Sequence, residues 1–476
     1  MGTPNVYPTG VTVYNPEKAY SGYTLMVGAG LGAILIDMNG NVIRNWKDFQ
    51  GFPNKMLPGG YIMGSLGRRN ADFGYQDMSD VTQIDWDGNI VWSFNKKEYF
   101  EEGDKKYWIA RQHHDYQREG NPVGYYVPGM EPKVDSGKTL ILCHEDLYNH
   151  KISDKRLLDD CIIEVDWEGN IIWKWNVSDH FRELGFSEQQ KNVLFRNPNY
   201  HHNGGGQSDW MHINCASYLG PNKWYDQGDE RFHPDNIIWD SREANILAII
   251  SHETGKIVWK MGPDFTESRE LRMIGQIIGM HHAHMIPQGL PGAGNILIFD
   301  NGGYAGYGFP SRTSKDGTKT DLRDHSRVLE INPITLELVW SFTGDTWGGM
   351  NPMVSKPKFY SPLISSAQRL PNGNTLVTEG CFTRIFEVTP EKELVWEFVA
   401  PFDLNPQQIY RAYRYPYEYV PQVPKPVETE IKQLDNKKFR VPGAASGEIT
   451  DVVTVAGTWG WPGKVDACVT EDNAPF

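Results

Sequence analysis

The chain has 476 residues, 39% of them hydrophobic and 12% aromatic, with 16 tryptophans, which is ample material for a large core and excludes a disordered polymer. Its 46 Lys and Arg against 60 Asp and Glu leave a net charge of −14, a field that repels nucleic-acid phosphates and anionic membrane surfaces. The longest apolar runs, "NILAII" and "GNILIF", fall far short of the roughly 20 residues a membrane-spanning helix needs, so a soluble protein without nucleic-acid or membrane partners is expected.

The opening "MGTPNVYPTG" is polar and turn-rich and lacks the pattern of an export signal, which fits a cytoplasmic chain or a mature form from which a signal has been cut. From Asp37 onward one phrase recurs: "DMNGNVIRNW" (37–46), "DWDGNIVWSF" (85–94), "DWEGNIIWKW" (166–175), "HETGKIVWKM" (252–261), "PITLELVWSF" (333–342) and "PEKELVWEF" (390–398). Each copy reads as a polar turn followed by an apolar and aromatic strand. A second turn-and-strand phrase accompanies it, as "LPGGYIMGS" (57–65), "SGKTLILCHE" (136–145), "PGAGNILIFDNG" (291–302) and "LPNGNTLVTEG" (370–380). Two such phrases per period make about four strands, the content of one propeller blade.

The repeat therefore predicts an all-β, six-bladed β-propeller forming one domain over 1–476. The blades run roughly from 20 to 402, followed by a C-terminal arm and closing strands over 403–476. A two-sheet sandwich or tandem small β domains would lack the regular Trp after each turn and would need linkers, and none divides the chain. Trp92, Trp173, Trp259, Trp340 and Trp396 occupy equivalent repeat positions and read as blade packing. The copies are unevenly spaced, so the excess lies in insertions, of which 176–209 has the composition of a short helix. Cys143, Cys161, Cys215, Cys381 and Cys468 form no CxxC pair and are expected as free, mostly buried thiols.

Propellers place ligands on the central axis, so polar clusters recurring at similar points of successive repeats are candidates to converge there. "RQHHD" supplies His113, His114 and Asp115. "LCHED" supplies His144, "DWMHIN" His212 and Asn214, and "GMHHAH" His281, His282 and His284; "HSR" supplies Arg327 and "EGCFTR" Glu379 and Arg384. If the histidine runs are regular strands, His113 and His114 face opposite ways, while His282 and His284 share a face and His281, read as structural, points away. Neutral imidazoles meeting on an axis could hold a transition metal. No phosphate-binding glycine loop and no GxSxG nucleophile elbow is present.

At "DWMHIN", "NIIWDSREANILAIISHETGKIVWKMGP", "HHAHMIP…GNILIFDNGG", "HSRVLEINP" and "FYSPLISSAQRLPNGN" the chain resembles the bacterial arylsulfotransferase family, collinearly from about residue 10 to about 400. The resemblance implies a six-bladed propeller whose central site moves sulfate from one phenol ester to another phenol without a nucleotide cofactor. It further implies that His212, His282 and Arg327 stand in the family's sulfate-handling motifs. The segment where the family's transiently sulfated histidine is expected carries Arg384, a guanidinium that stays protonated and cannot serve as that nucleophile.

The first functional expectation is thus an arylsulfotransferase-like enzyme, needing no cofactor and acting on a small phenolic or aryl substrate. His114, His212, His282, Arg327 and Arg384 are its catalytic candidates, with His114 replacing the missing nucleophile, and Asn214, His284 and Glu379 its substrate-binding ones. The alternative is a metalloenzyme on the same scaffold, with one divalent transition metal held by His114, His212, His282 and His284, and possibly His144, acting on an aromatic substrate. A non-enzymatic binding platform is the third.

Overall fold

The computed structural model describes residues 8–28, 30–67, 76–200, 207–343, 359–404, 406–435 and 442–443. The chain divides into two units, 1–433 and 434–476. Of the second, only residues 434–435 and 442–443 are described, so Cys468 and most of the expected arm lie outside the described residues.

The first unit is a six-bladed β-propeller. From the axis outward, blade 2 is Gln50–Leu57, Tyr61–Ser65, Val81–Ile84 and Ile90–Phe94, and blade 3 is Gln112–Arg118, Thr139–Asn149, Ser153–Val165 and Ile171–Asn176. Blade 4 is Ile213–Tyr218, Ile237–Ser241, Ile246–Ile250 and Ile257–Met261. Blade 5 is His281–Met285, Ile296–Asp300, Arg327–Ile331 and Leu338–Phe342. Blade 6, Ser366–Arg369, Thr375–Glu379, Arg384–Val388 and Leu394–Val399, carries Gly10–Tyr14 as a fifth, outer strand. Blade 1 takes its outer three strands from Tyr23–Gly28, Gly32–Ile36 and Val42–Trp46 and its innermost strand from the far end of the chain, Ile409–Tyr415. Both ends of the propeller sequence thus cross the closure between blades 6 and 1, which leaves no unpaired seam between first and last blade.

The recurring phrase is the turn and outermost strand of each blade. In its first copies the Asp carboxylate accepts backbone N–H groups across the turn: Asp37 from Asn39 and Asn41, both at 2.9 Å, and Asp85 from Asp87 and Asn89 at 3.0 and 2.8 Å. Gly40, Gly88 and Gly169 stand at φ of 85°, 91° and 85°, a backbone that only glycine adopts without cost. The tryptophan does more than pack. Its indole N–H donates to a backbone carbonyl in the turn of the next blade: Trp46 to Trp86, Trp92 to Trp167, Trp173 to His252, Trp259 to Pro333, Trp340 to Pro390, and Trp396 back to Met38, all at 2.8–3.1 Å. The bond closes on itself around all six blades. Each link contributes about 0.5–1.5 kcal/mol net.

Between the blades lie apolar layers. Leu140, Ile162, Trp239, Leu247 and Ile249 are buried on blades 3 and 4, and Phe342, Phe386, Trp396 and Phe398 fill the space from blade 5 to blade 1. The expected helix in the 176–209 insertion is Glu188–Arg196, started by Ser187, whose side chain accepts the Gln190 N–H while Gln190 reaches back to the Ser187 N–H. No helix among the described residues is long and apolar enough to cross a membrane. Cys143, Cys161 and Cys215 are buried free thiols and Cys381 is partly buried.

Candidate active site

Each blade is a meander, so the connections from outermost strand to the next innermost strand all reach one end of the tunnel, and the first residues of the innermost strands meet there. His114, His212 and His282 stand at that end of three successive blades, each in the left-handed region with φ of 56°, 51° and 53°. The strand pairing breaks at the same places, between Gln112 and Tyr116, Ile213 and Cys215, and His281 and His284. Such backbone costs roughly 1–3 kcal/mol per residue and gathers at functional sites. It also corrects the expectation that His113 and His114 face opposite ways: the bulge turns both rings together, and their Nδ1 atoms are 2.8 Å apart.

Two groups of histidines result. The first surrounds the mouth. His212 donates from Nδ1 to Asp209 at 2.5 Å, and its ring centre is 4.6 Å from that of His114. Full burial pushes the Asp209 carboxyl up, and the His212 imidazole outweighs it to hold the group below its ordinary range. His281 bonds through Nδ1 to Asn301 at 2.8 Å; desolvation drives its pKa well below the ordinary value, and the nearby Arg242 and His212 lower it further. The Arg242 backbone N–H binds the His212 carbonyl, and its Nη1 meets Glu243; its Nε and Nη2 have no hydrogen bond among the described residues. His212 is 8% exposed, against 2% for His114 and 1% for His281. It is the most exposed of the three mouth imidazoles.

Behind the mouth, His113 and His144 stack with ring centres 3.6 Å apart and direct their Nε2 atoms toward Asp160, at 3.3 and 3.9 Å from Oδ1. His144 Nδ1 is 2.6 Å from Asp77, which is held in turn by Arg111 at 2.8 Å. Burial, with Asp209 nearby, pushes the Asp160 carboxyl well above its ordinary range. Among the described residues, His113, His144 and Asp160 are the group whose donor atoms lie close enough together to hold a metal ion.

The second group lies deeper and is fully engaged. His282 bonds to the Ala367 carbonyl through Nδ1 at 3.0 Å and to the Tyr413 hydroxyl through Nε2 at 3.2 Å. His284 bonds to the His282 carbonyl at 2.8 Å and to the Tyr125 hydroxyl at 2.9 Å. Desolvation drives both pKa values down, that of His284 to about 4. Around them Asp115 takes Lys55 at 2.6 Å and Arg411 at 3.1 Å, and Arg411 also donates to the Asn214 carbonyl and the Tyr410 hydroxyl. Two cations against one carboxylate leave this plug positive just beneath the mouth, a field that favours an anion there.

The sequence expectations divide accordingly. His114 and His212 adjoin each other at the mouth, and His282 and His284 adjoin each other below. The four do not form one ligand set, because both ring nitrogens of His282 and of His284 are already bonded. His281, read as structural, is the histidine of its run that shares the mouth with His212. Arg327 and Arg384 open third strands rather than innermost ones. Arg327 is spent on Asp300 at 2.6–2.7 Å and on the Ile274 and Gln276 carbonyls, and Arg384 on Glu379 and Glu397 at 2.9 and 2.6 Å. Their pairing across the ladder, Asp300 with Arg327 and Glu379 with Arg384, is the same in blades 5 and 6, which marks a blade-building ion pair. Glu379 is occupied by that pair and the Tyr360 N–H, while Asn214 is bonded from its Nδ2 to the Met280 carbonyl. Sequence reasoning missed Asp209, Arg242, Asp77, Asp160 and Arg411; of these only Asp209, three residues before His212, had a local signal.

These features describe a propeller protein with a histidine-lined axial mouth over a cationic plug. The family model described as arylsulfotransferase matches residues 131–411, and the chain belongs to that family, a family of transferases. No curated protein matches the chain. Among solved structures, a protein of unknown function from Bacteroides caccae is 11% identical, with a TM-score of 0.42 over 83% of this chain and 98% of its own. A β-propeller domain from Myceliophteria thermophila is 9% identical, with a TM-score of 0.36 over 84% of this chain and 88% of its own. Virginiamycin B lyase from Staphylococcus aureus is 10% identical, with a TM-score of 0.31 over 86% of this chain and 95% of its own.

Proposed function

We propose that the protein transfers a sulfuryl group between phenols at the mouth of the propeller, with His212 as the covalent carrier. The observation that carries this reading is the Asp209–His212 pair at 2.5 Å: with Nδ1–H held by the carboxylate, Nε2 of the most exposed of the mouth imidazoles has no hydrogen bond among the described residues. Nε2 attacks the sulfur of an aryl sulfate, the N–S bond forms, and the S–O bond to the aryl group breaks to release a phenolate. Asp209 stabilises the cationic sulfo-imidazole that results. An acceptor phenolate then attacks the same sulfur, the N–S bond breaks, and neutral His212 returns.

Arg242, whose Nε and Nη2 have no hydrogen bond among the described residues, stabilises the charge developing on the sulfuryl oxygens, and the positive plug of Lys55 and Arg411 adds a longer-range field. His114 is driven well below its ordinary pKa by burial and then by His212, so it is neutral and serves as a hydrogen-bond donor rather than a proton source. Arg384 is not needed in the nucleophile's place, since His212 supplies the imidazole from a different blade.

The test is transfer from p-nitrophenyl sulfate to a second phenol. Release of p-nitrophenol dependent on the acceptor is expected. Without acceptor, mass spectrometry should find one sulfuryl group on the peptide containing His212. Absence of transfer from any aryl sulfate to any phenol by the folded chain would sink the proposal.

A further inference from the structure

We infer that His113 Nε2, His144 Nε2 and a carboxylate oxygen of Asp160 form a binding site for one divalent first-row transition-metal ion, buried behind the mouth. Their donor atoms lie within 4.8 Å of one another, and all three residues are 0% exposed. His113 Nε2, His144 Nε2 and Asp160 Oδ2 each lack a hydrogen-bond partner among the described residues, although such atoms are almost always satisfied when buried.

The bonds on the far side of the rings account for the bare nitrogens. Asp77 accepts Arg111 at 2.8 Å and so is an ionised acceptor; the proton in its 2.6 Å contact with His144 therefore sits on Nδ1. Neutral His144 then presents a bare lone pair at Nε2 toward the Asp160 carboxyl with no hydrogen bond between the two, a gap that a cation bound to both fills. A doubly protonated His144 does not repair it, because 3.9 Å is too long for a hydrogen bond. No Lys or Arg among the described residues pairs with Asp160, whose Oδ1 accepts the Ile213 N–H at 3.1 Å. Two imidazoles and one carboxylate converging on a point is a donor set suited to zinc, iron or manganese, and an Asp77–His144 contact is the outer support that metal-binding histidines characteristically have.

The site also bears on the mouth, and this consequence rests on the functional reading above. A metal on His113 Nε2 puts that ring's proton on Nδ1, which donates to His114 Nδ1 at 2.8 Å. His114 must then carry its own proton on Nε2, as a sulfate-oxygen donor requires. The ion positions His114 without touching substrate.

The full chain, isolated without added metal, should contain about one equivalent of zinc, iron or manganese by elemental mass spectrometry. After stripping with a chelator it should take up Co²⁺ with visible d–d bands that Zn²⁺ abolishes. His144→Gln and Asp160→Asn should each lose the bands, and Asp77→Asn should weaken uptake by roughly 10- to 100-fold. If those variants do not fold, X-ray absorption on the Zn²⁺-loaded wild type decides, with two imidazoles and oxygen expected in the inner shell. Failure of the stripped wild type to take up Co²⁺, unchanged binding by the folded His144 and Asp160 variants, or a sulfur-containing shell would each overturn the site. None of these readouts depends on sulfuryl transfer, so the two proposals stand or fall separately.

Discussion

The mouth and the plug below it are both histidine-bearing parts of one axis, yet they are built on opposite terms. In the plug every ring nitrogen of His282 and His284 is bonded, and the charges of Lys55, Asp115 and Arg411 are bound together. At the mouth, among the described residues, His212 has one nitrogen held and the other without a hydrogen bond, and Arg242 has donors to spare. Burial of a histidine is therefore a poor guide to its task. What separates a chemical imidazole from a structural one is a nitrogen left over after the fold has taken what it needs.

Substitutions put that contrast to the test. The greatest loss is expected at the mouth: His212→Asn, which keeps a donor for Asp209, should lower transfer by on the order of 10⁴-fold or more while its thermal melt stays near that of the wild type. An active variant would move the carrier elsewhere. In the plug, Asp115→Ala leaves Lys55 and Arg411 buried without their carboxylate and should cost about 3–5 kcal/mol of stability, read by denaturant unfolding.

Arg242→Ala should cost roughly 10²- to 10³-fold in kcat, about the loss of one oxyanion donor, with little change in stability. Arg327→Ala should behave the opposite way, since its guanidinium serves the fold: a fall in melting temperature larger than any specific loss in transfer would place it with the blades.

A subtler change bears on the assignment of His284. Its pKa is about 4 in the folded chain against an ordinary 6.5, so the unfolded chain takes up a proton first as the solution is acidified. Stability from this group is therefore complete above pH 6.5 and is lost as pH falls toward 4, by on the order of 1 kcal/mol midway. His284→Gln should flatten the acid side of the melting-temperature profile relative to wild type. An unchanged acid slope would mean the ring is not held neutral.

The polar turns, the Trp spacing and the count of six were legible because a blade is local: its strands are consecutive, and Asp37 or Asp85 builds its turn from residues two and four positions on. The histidine clusters were legible as clusters. Their division was not. A two-residue alternation predicts where side chains point only in a regular strand, and left-handed residues at His114, His212 and His282 suspend it at the positions that matter. Arg327 and Arg384 misled for a related reason, since a motif gives the residue but not which of four strands in a blade it opens.

The blade, the number of blades and the supply of imidazoles were written in the order of residues, because these depend on periodicity and on turns that close within a few positions. Which nitrogens remain unspent was settled only in three dimensions, because that depends on partners such as Asp77, Tyr125 and Tyr413 that reach each ring from a distant part of the chain. So was the closure itself, in which Ile409–Tyr415 returns from the far end of the chain to pair with Tyr23–Gly28 as the innermost strand of blade 1, a pairing of distant segments that no local pattern encodes.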